Sequence, residues 1–221
     1  MIVRESLPEL ISITDEQLDH INKDLATFKK RGMIYQAIGM RKHCPKCLAS
    51  ENPQMVFPTG DVNSKVMFIT DKVSAEDIAN RTPLSDSNGA VFQVLLEKLN
   101  INKDNVYVTS LYKCEHSHED LSSKFICATS ALCVEVLTVK PKVIVGMGEE
   151  VKNILLAIMD YPVQGSSLED IRNKLHKVTF DGHNFAYIQT YGLDTVVSDF
   201  KKFSGAFAKD IVVAMKVANK E

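Results

Sequence analysis

Apolar residues at Leu18, Ile21, Leu25 and Phe28 recur at helical spacing, which predicts an amphipathic helix over residues 15–31. Thr14 and Gln17, three residues apart, form a capping-box pattern at its start, and Lys29, Lys30 and Arg31 before Gly32 suit its end. Short apolar runs bounded by turn residues then predict buried strands at Lys65-Val-Met-Phe-Ile-Thr70, at residues 105–111 (NVYVTSL) and at residues 141–145 (PKVIV), with one or two more in 176–190. Helical patterns separate them over residues 89–99 and 121–139, from Gly146-Met-Gly148 to about Ile158, and over 199–217. Strands alternating with helices at this spacing predict an α/β fold with a parallel, doubly wound sheet.

Ligands of such sheets bind beyond the carboxyl ends of the strands. That places Thr70-Asp71, Thr109-Ser110, Gly146-Met147-Gly148 and Thr190-Tyr191-Gly192 around any site.

Composition adds bounds rather than a function. The 221 residues are 45% hydrophobic and 24% charged, an ordinary globular balance that can bury a core without disulfide staples. No uninterrupted apolar run reaches the roughly 18–20 residues of a membrane span, and the start of the chain lacks a signal-peptide pattern. The expectation is a soluble cytoplasmic protein. A net charge of -2 leaves nucleic-acid binding to a local basic face.

The five cysteines therefore call for another explanation. Cys44 and Cys47 form a Cys-x-x-Cys turn; Cys114 and Cys127 lie at a strand exit and a helix start, so four thiolates can converge on one metal centre. Cys133, set among Ala131, Leu132 and Val134, reads as a small core residue. Spacing alone does not separate zinc from an iron–sulfur cluster.

The order Cys44-x-x-Cys47, Asn63-Ser-Lys-Val-Met-Phe-Ile69, Pro83 to Leu96, Val106-Tyr-Val-Thr-Ser-Leu-Tyr-Lys-Cys114 and Pro141-Lys-Val-Ile-Val-Gly-Met-Gly148 resembles the iron–sulfur uracil-DNA glycosylases, family 4 of their superfamily, over roughly residues 40–215. The resemblance implies a three-layer α/β/α sandwich with a central, mostly parallel sheet at residues 41–221. Residues 1–40 are then a helical extension packed on it. It also implies a [4Fe–4S] cluster on Cys44, Cys47, Cys114 and Cys127, with Cys133 in reserve and zinc as the alternative metal.

The family's site motifs are altered. Its Gly-Glu-Ala-Pro-Gly loop, whose acidic residue orients the attacking water, corresponds to Thr70-Asp71-Lys72-Val73-Ser74, which keeps a carboxylate at Asp71. Its base-stacking Pro-Phe segment corresponds to Pro83-Leu84, its uracil-reading asparagine to Ser110, and its Thr-Tyr-His-Pro motif to Thr190-Tyr191-Gly192-Leu193. One hydroxyl cannot reproduce the paired donor and acceptor of an amide, and the histidine that stabilises the departing base is missing. His183, His116 and His118 read as solvated loop residues.

Thr70, Leu84, Ser110 and Gly192 are thus the expected base pocket and Asp71 the candidate catalytic residue. Lys72, Arg81, Lys201 and Lys202 form the expected DNA face, with Lys113 close to the cluster. The expected function is a divergent glycosylase-like protein with impaired or absent uracil excision, acting as a DNA- or protein-binding module in replication or repair. The alternatives are an active DNA glycosylase in which Asp71 assists water attack, and a metal-stabilised structural protein.

Overall fold

A computed structural model of the chain describes residues 15–40, 54–114, 121–162, 166–172 and 174–220. Among these, six strands form one sheet: β1 (Thr59–Gly60), β2 (Val66–Thr70), β3 (Tyr107–Ser110), β4 (Val143–Met147), β5 (His176–Phe180) and β6 (His183–Thr190). Their order across the sheet is β1-β3-β2-β4-β6-β5. The four central strands are parallel and the two edge strands antiparallel.

The helices are α1 (Asp15–Gly39), α2 (Ala75–Asn80), α3 (Ser87–Lys98), α4 (Leu121–Val139), α5 (Glu149–Ile158), α6 (Leu168–Arg172), α7 (Leu193–Ser198) and α8 (Phe200–Ala218). In β2, Val66 and Phe68 join the core on one face while Met67 and Ile69 join the core on the other. A strand with both faces covered must be apolar throughout, which is why β2 and β4 read as unbroken runs. Side chains of α1, α4 and α5 fill one face; those of α3, α7 and α8 fill the other. The chain is a three-layer α/β/α sandwich.

Two expectations need correction. The first helix does not stop at Gly32 but continues to Gly39. Ile34 and Ile38 in its last turns are fully buried. Burying two isoleucines outweighs the roughly 1 kcal/mol that an interior glycine costs a helix. The stripe Leu18, Ile21, Leu25 and Phe28 is exposed. The candidate cap at Thr14 lies outside the described residues.

The third strand extends through Gly146 to Met147, beyond the expected end at Val145. Gly146 makes room for its neighbour, since a β-carbon there would overlap the Tyr187 hydroxyl. The last segment is a hairpin, β5–β6, turned by Asp181 and Gly182 at φ 45° and 75°, the two positive angles of a type I′ turn. One helix, α4, is apolar and long enough to cross a bilayer. Ala128, Ala131, Leu132, Val136 and Val139 on it are buried in the core, so its apolar character serves packing.

Candidate functional site

The polypeptide leaves β2 toward α3 on one face of the sheet and leaves β4 toward α5 on the other, so the crevice between these adjacent strands is the switch point at which ligands of such sheets bind. Asp71 is the first residue after β2 and Gly148 the first after β4. Gly148 has φ 105° and ψ 165°, a conformation that residues with a β-carbon hardly adopt. A β-carbon on it would lie 3.2 Å from Asp71 Oδ2 and 3.5 Å from Gly192 Cα. The Gly148 N–H also donates to the Thr190 carbonyl at 3.1 Å, which draws the β6 exit to the same point.

Asp71 is half-buried, and that burial raises its carboxyl pKa. The Lys72 N–H, 2.9 Å from Asp71 Oδ1, and the Lys72 charge oppose the rise, while the carboxylate of Asp194 adds to it. Asp194 stands in the first turn of α7 and accepts a 2.5 Å hydrogen bond from the Asn88 amide in the first turn of α3. Helices separated by 106 residues in sequence are thereby joined beside Asp71. Neither Asn88 nor Asp194 carries a local motif that would single it out.

Thr70 and Ser110 end the adjacent strands β2 and β3 in register. Ser110 is 1% exposed, and its hydroxyl donates to the Tyr112 carbonyl at 2.5 Å. Lys113, expected on a solvent face near the cysteines, is 3% exposed. Its ammonium lies 2.6 Å from Glu135 Oε1 and donates to Thr109 Oγ1 at 2.5 Å and to the Ser110 carbonyl at 2.6 Å. Burial lowers its pKa and Glu135 counters that shift. The Tyr107 hydroxyl donates to the other Glu135 oxygen at 3.0 Å. The Lys113 charge is consumed inside the fold, because burying it without a partner would be costly.

The segment carrying Leu84 is held by Asp77. This buried carboxylate accepts the Ser74 N–H at 3.0 Å, closing a capping box on α2, and the Ser85 N–H at 2.6 Å. Ser74-x-x-Asp77 was a legible sequence signal for that role. Leu84 itself has φ 57°, and a β-carbon at Gly89 would overlap its carbonyl oxygen. Asp86 then caps α3 through the Gly89 N–H at 3.0 Å. Pro83, Leu84, Gly89 and Phe92 line a cleft of about 270 Å³ that also reaches Lys103 and Val108.

At the β6 exit, Thr190 donates to Asp210 at 2.9 Å, Asp210 pairs with Arg172 at 2.9 Å, and the Arg172 guanidinium lies 4.6 Å from the centre of the Tyr191 ring. The Tyr191 hydroxyl and Arg172 both bind Glu169. This network, invisible in sequence, fixes the segment that leads to Gly192.

The mostly parallel six-stranded sheet flanked by helices accords with the family model that matches residues 57–210, the uracil DNA glycosylase superfamily. The chain belongs to that superfamily. No curated protein matches it.

In this superfamily member, His183 opens β6 at the end of the sheet opposite the crevice. It is half-buried rather than solvated, 2.9 Å from the Pro141 carbonyl and stacked near Phe185. His116 and His118 lie outside the described residues, as do Cys44 and Cys47. Cys127 is buried and Cys114 half-buried, both packed in the core cluster that contains Tyr112. Cys133, expected in the core, is half-buried and outside both core clusters, and its partial burial pushes the thiol up to about 11. Among the described residues, no three His, Cys, Asp or Glu side chains form a metal-binding group.

Lys72, Arg81, Lys201 and Lys202 are exposed. Arg81 donates to the Gln54 side chain at 2.5 Å, and Lys202 lies 4.8 Å from the centre of the Phe203 ring. Lys72 follows β2, and Lys201 and Lys202 lie in the first turn of α8, so these three stand at the crevice end of the sheet.

Proposed function

We propose that this chain is a divergent glycosylase-like DNA-binding protein, impaired in or lacking uracil excision, that serves as a DNA- or protein-binding module in replication or repair. The observation that carries this reading is the Ser110 hydroxyl, directed to the Tyr112 carbonyl in the fold's interior. Recognition of a pyrimidine edge needs a donor and an acceptor side by side, and a buried serine whose single O–H already donates to backbone has no donor left to offer.

Cleavage of an N-glycosidic bond also requires stabilisation of an anionic base. No histidine stands among the described residues at the strand exits. Lys72, Arg81, Lys201 and Lys202 supply the charge for phosphate contacts, which do not depend on base identity. Cys114 and Cys127, with Cys44 and Cys47, are the proposed holders of a [4Fe–4S] cluster, with zinc as the alternative. Two of these thiols share one apolar wall of the core, a setting in which ligation would support folding.

A second reading rests on Asp71. Its half-buried carboxylate, beside the Lys72 N–H and Gly148, supports a role in orienting water toward a sugar cation. In that reading the protein is an active glycosylase for a base other than uracil.

The test is base release from single- and double-stranded oligonucleotides carrying uracil, hypoxanthine or xanthine, with DNA affinity measured across a salt series. Salt-sensitive binding without release supports the first reading. Release that disappears in Asp71→Asn supports the second. Absence of DNA binding at low salt removes both DNA readings and favours a protein-interaction role.

A further inference from the structure

The exposed residues on α1 follow a stricter rule than amphipathicity. Leu18, Ile21, Leu25 and Phe28 are spaced by three, four and three residues, the a and d positions of two heptads. They are 49%, 50%, 48% and 74% exposed. The helix has another, separate packing face: Ile34 and Ile38 are buried, Lys30 donates to Asn63 at 2.9 Å, Arg31 donates to the Gly60 carbonyl at 3.2 Å, and Asn63 donates to Thr27 at 2.9 Å. At 100° per residue, the body-facing set Thr27, Lys30, Arg31, Ile34 and Ile38 lies roughly 145° around the helix from the a/d stripe. The stripe is therefore an apolar seam on a helix whose other side is already docked.

A seam confined to a and d fits a single partner helix, whereas burial in a sheet core or a lipid surface calls for a wider apolar face. The flanking charges identify the partner. With Leu18 at a, Asp24 falls at g and Lys29 at e, and both are exposed. In a parallel pair, a g residue meets the e residue five positions later on the opposite helix, so Asp24 of each copy faces Lys29 of the other. In an antiparallel pair centred on the same stripe, Lys29 would meet Asp15 but Asp24 would face Asp24, so of the two arrangements the parallel one avoids a like-charge contact.

We propose that α1 pairs in parallel, in register, with α1 of a second copy of this chain. The seam is then a two-fold interface of Leu18, Ile21, Leu25 and Phe28 flanked by two Asp24–Lys29 pairs. Because α1 is anchored to the body through Ile34 and Ile38, the helix is formed before it pairs, which reduces the ordering cost that disfavours short isolated coiled coils. The interface lies outside the matched residues 57–210 and is independent of the crevice chemistry.

The test is the mass of the full chain by sedimentation over a concentration series. The wild type is expected to dimerise. Leu25→Glu, at an exposed site, should keep the circular dichroism of the wild type while weakening association by about 100-fold or more. Asp24→Lys and Lys29→Asp should each weaken self-association, and an equimolar mixture of the two should restore it as a heterodimer. Weakening by Asp24→Lys alone identifies the parallel register, because an antiparallel pair would only exchange an Asp24–Asp24 contact for a like-charged lysine pair. A wild type that stays monomeric overturns the proposal, as does a dimer indifferent to Leu25→Glu. A dimer weakened by Leu25→Glu but indifferent to the charge exchanges overturns the parallel register.

Discussion

The carboxylate of Asp71 crowds the α-carbon of Gly148: a β-carbon on Gly148 would stand 3.2 Å from Asp71 Oδ2, closer than an ordinary contact. This contact joins the exits of β2 and β4 at the switch point of the sheet, and Gly148 meets it in a backbone conformation suited to glycine. Gly148→Ala should cost about 1–3 kcal/mol of stability through backbone strain and displace the Asp71 carboxylate. Chemical denaturation measures the first effect. Loss of any Asp71-dependent base release measures the second.

Asp71 should make stability depend on pH in an uncommon direction for an aspartate. Burial raises its folded-state pKa, so the folded protein holds this proton more tightly than the unfolded chain does. The group's stabilising contribution is full below the unfolded-state pKa and is lost as pH rises through the raised folded value. Asp71→Asn should accordingly be more stable than the wild type at neutral pH, and the gap should shrink as the solution is acidified. Melting temperatures of both proteins over an acid-to-neutral series check this.

Lys113 and Glu135 form a pair almost fully removed from water. Glu135→Ala leaves an ammonium buried without its counter-charge and should destabilise the fold by about 3–5 kcal/mol. The double variant Lys113→Met/Glu135→Leu should recover much of that loss, because the desolvation cost disappears with the charges. Urea unfolding of the single and double variants separates the two outcomes.

If the proposed phosphate contacts are made, Lys201→Ala/Lys202→Ala should weaken binding to DNA of any sequence. It should also flatten the dependence of log affinity on log salt by about 1–2. Titrations of a fluorescent oligonucleotide at several salt concentrations measure that slope. An unchanged slope would exclude these two lysines from the DNA face.

The proposed metal site separates the cysteines. Cys114→Ser or Cys127→Ser should remove bound iron and visible absorbance and lower stability, whereas Cys133→Ser should retain both. Iron and zinc content, measured on anaerobically purified protein, distinguishes the cluster from its alternative.

The layered α/β architecture was legible because local and global preferences coincide in this chain. Runs such as Val66–Thr70 must be buried on both faces, and their alternation with helical patterns leaves a parallel sheet as the economical arrangement. The same reasoning identified Asp71, Gly148 and Gly192 as neighbours of a crevice, since strand exits are sequence positions. Side-chain partnerships between distant segments were not legible. That Ser110 turns inward to Tyr112, that Lys113 is neutralised by Glu135, and that Asn88 reaches Asp194 across 106 residues depend on which surfaces the sheet brings together. The stripe on α1 shows the same division. Its period is written in the sequence, but only packing of Ile34 and Ile38 decides which face of the helix meets the body and leaves Leu18, Ile21, Leu25 and Phe28 outside. Periodicity specifies the faces of an element, whereas the tertiary structure assigns each face its partner, because burial free energy depends on the surfaces that meet.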